Sequence, residues 1–168
     1  QLQALRPYVS MARATDDFWD DWHLYMDEGG GGGTSSGASH WDAARDLVSS
    51  GLVDLDMLPF GRIGHGAPCT KPFTGSGPGC ARQSRLTGAE QQSVLTLWAM
   101  ARSALIVGGD VTAMDGDTRG RLLHAPLLAM ANDVGAEGAL SWEVLRRDGV
   151  LVWQAAGAST TSPKRYVA

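Results

Sequence analysis

Four carboxylates fall within six residues near the start of the sequence, Asp16, Asp17, Asp20 and Asp21, and Arg13 stands four positions before Asp17. Farther on, Asp54 and Asp56 alternate with apolar residues in Leu52-Val53-Asp54-Leu55-Asp56-Met57-Leu58. Clustered carboxylates with an arginine are a residue set for general acid–base or nucleophilic chemistry. The same aspartates also suit the first turn of a helix, where the dipole favours negative charge, so the residues alone leave both readings open. Cys69 and Cys80 lie eleven positions apart in a glycine- and proline-rich stretch, near enough to staple it or to remain two thiols. Two cysteines are too few for a structural zinc site when His23, His40, His65 and His124 show no ligand spacing. Asp115-Gly116-Asp117-Thr118-Arg119-Gly120 is not a calcium loop, because Arg119 and Pro126 stand where acidic ligands belong. Gly61, Gly64 and Gly66 do not make a phosphate-binding fingerprint.

The elements that must carry these residues can be read from periodicity. Residues 9–14 form a short, mostly apolar run after Pro7, which predicts a buried strand. Thr15 or Asp16 can cap a helix over about 17–27, whose aromatic face holds Phe18, Trp19, Trp22, Tyr25 and Met26. The polyglycine tract from Gly29 to Gly33 carries nothing to bury and reads as a flexible insertion. A short helix over 41–50 would end at Gly51, and residues 52–58 read as a strand with Asp54 and Asp56 on one face. Residues 59–86 are too broken by glycine and proline for a regular element. Thr87-Gly88-Ala89-Glu90 is a capping box that opens a helix to about Ser103, with Val94, Leu97, Trp98 and Ala101 as its apolar stripe. A buried strand over 104–107 follows, then a helix capped by Asp115 or Asp117 through His124, and a short one with Pro126 in its first turn. In the tail, residues 142–146 and 150–154 flank Arg147-Asp148-Gly149, a hairpin signal, and a last strand begins at Arg165.

Residues 1–131 therefore read as three β-α units and residues 132–168 as antiparallel β. Repeated β-α units imply an α/β fold with parallel strands. A complete (β/α)8 barrel needs roughly 250 residues, so three units make under half of one; a small open sheet is the alternative. The chain has 168 residues and a net charge of −4. No basic field exists to condense on phosphate, so neither nucleic acid nor an anionic membrane surface is an expected partner. Hydrophobic residues make up 43%, which excludes wholesale disorder, and no apolar run approaches the roughly 18 residues of a membrane span. No signal peptide is visible in the first eight residues, and a sequence running from Gln1 to Ala168 is expected to be a piece of a longer protein.

Three blocks together carry a family resemblance. Arg13-Ala14-Thr15-Asp16-Asp17-Phe18-Trp19-Asp20 resembles the segment of family 27 glycoside hydrolases, the α-galactosidases and their kin, that reads Arg-x-x-x-Asp before an acidic, aromatic helix. Asp54-Leu55-Asp56-Met57-Leu58-Pro59-Phe60-Gly61-Arg62-Ile63-Gly64 is similar to the family's Asp-x-Asp-Met-Leu segment and its glycine-containing sequel. Residues 97–110 are similar to its helix and final barrel strand, and Trp142 to Ala168 resembles the linker and opening strands of its C-terminal β-domain. The resemblance implies a partial (β/α)8 barrel carrying units six to eight, and retaining hydrolysis of terminal α-galactosides by two aspartates. It makes Asp17 the acid/base and Arg13 the arginine that forks onto a sugar hydroxyl and a nearby carboxylate. Asp54 and Asp56 then border the pocket, hydrogen-bonding behind the residues that touch sugar. Trp41, which stands thirteen positions ahead of Asp54, is the candidate for stacking on a sugar, whereas Trp19, Trp22 and Trp98 read as core. In the family the nucleophile follows a Lys-Tyr pair on an earlier strand. No Lys-Tyr-Asp occurs here, and the only lysines are Lys71 and Lys164, so the sequence holds half of such a site. No organic cofactor or catalytic metal is implied. A disulfide between Cys69 and Cys80 fits the secretory or vacuolar–lysosomal route that the family commonly follows. Strand edges left unpaired by a partial barrel are expected to drive self-association, including homo-oligomers.

Overall fold

A computed structural model describes residues 7–13, 15–26, 40, 53–133, 141–148, 150–157 and 165–168. The predicted flexible insertion at Gly29 to Gly33, the 41–50 helix and Trp41 lie outside the described residues. The fold is mixed α/β, built from small sheets, with no closed barrel among the described residues.

Strand β1 (Ala12–Arg13) pairs in parallel with β2 (Val53–Asp54), placing Arg13 opposite Asp54. Beyond β2 the same stretch of chain pairs again: Leu58 bridges Val107 in parallel, donating its N–H to the Ile106 carbonyl at 2.7 Å and accepting from the Gly108 N–H at 2.9 Å. Three successive segments thus run in one direction, as the β-α reading requires. They are shorter than predicted, and neither the first nor the last is buried: Val9 and Met11 ahead of β1 are exposed, as are Ile106 and Val107, because no chain among the described residues covers those positions. Gly109 beyond it packs so tightly that a Cβ there would meet the Phe60 carbonyl oxygen at 1.8 Å, so only glycine fits.

The predicted 17–27 helix contracts to α1 (Trp22–Tyr25), and its cap is Asp21, which accepts from the Leu24 N–H at 3.1 Å; Thr15 and Asp16 do not cap it. The reason lies upstream. The Phe18 N–H is taken by the Asp56 carboxylate at 2.6 Å, and the Asp20 side chain is drawn into a buried cluster with two arginines. Those long-range bonds hold residues 16–21 out of helical geometry. The aromatic face survives the shortening: Phe18, Tyr25 and Met26 are buried, with Trp19 and Trp22 packed against the core.

Residues 59–86 are more regular than their composition suggests. Strands β3 (Arg62–Ile63), β4 (His65–Pro68) and β5 (Cys80–Gln83) form a small sheet in the order β3-β5-β4. Its strands are too short for periodicity to register. Helix α2 (Gly88–Ala101) has the predicted capping box, with Thr87 Oγ1 accepting from the Glu90 N–H and Glu90 Oε2 from the Thr87 N–H. It stops at Ala101 because Arg102 takes the left-handed conformation, φ +59°, and closes the helix end. Val94, Leu97, Trp98 and Ala101 are all buried.

Asp115 caps α3 (Gly116–Leu122), and Pro126 sits in the first turn of α4 (Ala125–Asn132). The predicted hairpin is present as β6 (Ser141–Arg147) and β7 (Val150–Ala156), with β8 (Arg165–Val167) antiparallel to β7. Trp153 and Ala155 of β7 join the same core as Phe18, Leu55 and Trp98. Arg102 fastens the sheet further by donating to the carbonyls of Met130 and Ala156. No helix of the described residues is long and apolar enough to cross a membrane.

Candidate active site

Arg13 ends β1, and Asp56 follows β2 by two residues, so both stand at the C-terminal ends of parallel strands, where α/β folds place their chemistry. The Arg13 Nη2 lies 3.1 Å from Asp17 Oδ1 and 2.7 Å from Asp56 Oδ2, one guanidinium spanning two carboxylates. The spacing explains half of this: with Asp17 four residues after the strand end, the chain turns back over Arg13. The other half comes from Asp56. Its backbone sits at φ +78°, a conformation that aspartate tolerates better than most residues, and this ends the predicted strand alternation after Asp54. Asp54 and Asp56 are therefore linked by a local bond, Asp54 Oδ1 accepting from the Asp56 N–H at 2.9 Å, rather than by sharing a strand face.

Asp56 is the hub. Besides Arg13, its carboxylate accepts the Phe18 N–H, and its carbonyl accepts the indole N–H of Trp98 at 2.7 Å. Leu55 beside it donates its N–H to Ser103 Oγ at 3.0 Å. The Asp56 side chain is 15% exposed, while that of Asp17 is 77% exposed. The half-buried carboxylate anchors Arg13, and the exposed one is presented to whatever enters.

An open cleft of about 540 Å³ borders this pair, lined by Arg13, Thr15, Asp16, Asp17, Tyr25 and Ser76 together with Leu24. Asp16 and Asp17 both reach it, but the arginine contact goes to Asp17. Asp54 and Asp56 are not among the residues that line it. Tyr25, which the sequence pattern marked only as core, has its phenol pushed up to about 12 by burial and then by the carboxylates of Asp17, Asp21 and Asp20. It remains a neutral hydroxyl at any physiological pH. Beneath the cleft, His40 is fully buried against Phe18, Tyr25 and Trp98, stacking on the Trp98 ring at 6.0 Å. Burial pushes its imidazole down to about 3, so it too is neutral.

The sequence reading missed a second cluster outright. Asp20 is fully buried, and its carboxylate accepts from Arg82 Nη2 at 2.6 Å, Arg82 Nε at 3.2 Å and the Arg85 N–H at 2.9 Å. Arg85 Nε and Nη2 add contacts at 3.3 Å each. Burial works to raise the Asp20 carboxyl, but the bonds from Arg82 and Arg85 outweigh it and hold the carboxyl below the usual range. Nothing in the spacing of Asp20, 62 residues from Arg82, signals this pairing. The Cys69–Cys80 disulfide, one of the two states that their spacing allowed, is present, closing the loop between them with a Cα–Cα distance of 5.1 Å.

Arg13 is thus held between two carboxylates at parallel strand ends, beside an open polar cleft. Over 94% of this chain, the structure matches a GH27 β-L-arabinopyranosidase from Geobacillus stearothermophilus with a TM-score of 0.72 and 28% identity. A variant of that enzyme in which an aspartate is replaced by alanine, solved in complex with arabinose, matches equally well. A protein from Bacillus halodurans, provisionally named as an α-N-acetylgalactosaminidase, matches 84% of the chain with a TM-score of 0.61 and 27% identity. No family model and no curated protein matches the sequence. The chain spans about a third of the length of these solved structures, 32% and 28%. The matches support a fragment of a family 27 glycoside hydrolase, the family that the three sequence blocks resemble.

Proposed function

We propose that residues 1–131 are the C-terminal portion of the (β/α)8 barrel of a retaining glycoside hydrolase that removes terminal α-D-galactosyl residues, and that residues 132–168 open its β-domain. The observation that carries this reading is the Arg13 guanidinium spanning Asp17 and Asp56 at the edge of the cleft. Asp17, exposed there, protonates the glycosidic oxygen as the C1–O bond breaks, and the sugar passes to a nucleophilic carboxylate contributed from outside this sequence. The Asp17 carboxylate then takes a proton from water, which attacks C1 and releases the sugar with its configuration retained. Retention requires the two carboxyl groups to stand about 5–5.5 Å apart. Arg13, braced from behind by Asp56, offers its remaining N–H groups to a sugar hydroxyl.

α-D-galactopyranose and β-L-arabinopyranose share their ring configuration and differ at C5, so the arabinopyranosidase likeness favours this stereochemistry without choosing the C5 substituent. The Cys69–Cys80 bridge supports maturation in an oxidising, secretory compartment. The test is hydrolysis of aryl α-D-galactoside, α-N-acetylgalactosaminide and β-L-arabinopyranoside by the full-length product of the gene, with Asp17→Asn alongside. The variant is expected to lose about 10²–10⁴-fold in kcat. Undiminished turnover in Asp17→Asn overturns the assignment. Sugar binding without turnover in either form favours the alternative, a non-catalytic carbohydrate-binding or degenerate α/β module.

A further inference from the structure

Residues 73–79 have no regular secondary structure, yet they are held at many points. Arg82 donates to the carbonyls of Gly77, Pro78 and Cys80, and Arg85 to those of Phe73 and Gly75. The Arg82 guanidinium also lies 3.9 Å from the centre of the Phe73 ring, and the Cys69–Cys80 bridge closes the loop from below. Both arginines end on Asp20, three residues after Asp17, so the loop and the acid-bearing segment form one braced unit. A loop held this firmly presents a chosen surface, and its tip places Ser76 in the cleft with Arg13, Asp16 and Asp17. The Ser76 hydroxyl has no hydrogen-bond partner among the described residues.

We propose that Ser76, on this loop, is a specificity-determining contact to the leaving-group sugar, and that Asp20, Arg82 and Arg85 are the positioning residues that hold it across the cleft from Asp17. The proposal rests on the glycosidase reading above. The acid that protonates a glycosidic oxygen stands between the two sugars. Arg13, at the end of β1, takes one sugar, and Ser76, which the separate 73–79 loop brings to the same cleft, is left to the leaving group. The occupant is a hydroxyl-bearing leaving group, a sugar or polyol, rather than an aryl or alkyl one.

The full-length chain, ¹⁵N-labelled, is titrated with methyl α-D-galactoside and with an α-1,6-linked galactosyl-glucose disaccharide, and kcat/KM is measured for that disaccharide and an aryl α-galactoside. The disaccharide is expected to shift the amides of residues 75–77 and the methyl glycoside to leave them in place. Ser76→Ala is expected to lower the disaccharide-to-aryl ratio of kcat/KM about 3–10-fold, through KM, the cost of one neutral hydrogen bond. Ser76→Thr, which keeps the hydroxyl, restores the ratio. Arg82→Lys keeps the charge but not the fork, and lowers the ratio in the same direction. A wild-type enzyme that turns over both substrates while Ser76→Ala leaves their ratio unchanged overturns this proposal and spares the glycosidase reading. Absence of turnover on either galactoside defeats the α-galactosidase reading, and the amide shifts then decide the subsite: movement confined to the disaccharide supports it, and none overturns it.

Discussion

The Asp20 cluster offers the sharpest quantitative test of the fold. In Asp20→Asn the side chain keeps its size, but one oxygen becomes an NH₂ group that points a donor at two guanidiniums. Five donor contacts converge on that carboxylate in the native chain. Arg82, whose side chain is 7% exposed, would be left as a buried charge without its counterion. Breaking a buried pair from one side costs about 3–5 kcal/mol, a large share of the about 5–15 kcal/mol that holds a domain together. With a urea m-value of about 2 kcal/mol/M, the midpoint is expected to fall by about 1.5–2.5 M. The assay is equilibrium urea unfolding by tryptophan fluorescence at pH 7, with both proteins at one concentration so that association contributes equally. The sign with pH follows from the depressed Asp20 carboxyl. Its stabilisation is complete above the unfolded value near 3.8 and is lost as pH falls through the lower folded value, so the gap between the two proteins should close as pH falls below 3.8. A double variant, Asp20→Asn with Arg82→Met, should cost less than the two singles added, because no charge is stranded. A midpoint shift under about 0.5 M at pH 7 would refute the claim that this cluster braces the loop to the acid-bearing segment.

Reducing the Cys69–Cys80 bridge should destabilise the chain by about 2–3 kcal/mol for a loop of this length, read as a lower urea midpoint in dithiothreitol; an unmoved midpoint would show that the arginines alone define the loop. The His40 ring, pushed down to about 3 by burial, should show no NMR titration between pH 5 and 8. Because the unfolded chain takes up that proton near 6.5, His40 favours folding fully above that value and progressively less as pH falls toward 3; an inflection near 6.5 in the His40 resonance would contradict its burial. The uncovered edge at Ile106 and Val107 should drive this chain to self-associate, and sedimentation of a single monomeric species that melts cooperatively would count against a partial barrel.

Local signals in the sequence were legible wherever one element decided its own structure. The Thr87–Glu90 capping box, the Asp115 cap, the Pro126 first turn and the hairpin around Asp148 all depend on residues within a few positions of one another. Legibility failed where distant residues overrode local preference. Helix α1 is short because Phe18 and Asp20 answer to Asp56 and Arg82, 38 and 62 positions away. The β3-β5-β4 sheet escaped notice because two- to four-residue strands carry no period. In the candidate site, Arg13 and Asp17 were visible through their spacing and through family resemblance, and so was the Asp54–Asp56 pair. That Arg13 reaches Asp56, that Tyr25 borders the cleft, and that Ser76 faces it are consequences of loop closure, which spacing does not encode.

The left-handed backbone at Asp56 also governs how such a site can decay. Few side chains accept φ +78°, and asparagine and glycine are the ones that accept it with least strain. Glycine would delete the oxygen that the Phe18 N–H needs, loosening the chain at Arg13 and Asp17 together. Asparagine, one nucleotide from aspartate, keeps the turn and that oxygen and removes only the charge that anchors Arg13. The shortest mutational path out of chemistry therefore leads through a folded, silent protein rather than a misfolded one. A descendant on that path would keep its shape, with Asn at this position as the mark of its retirement.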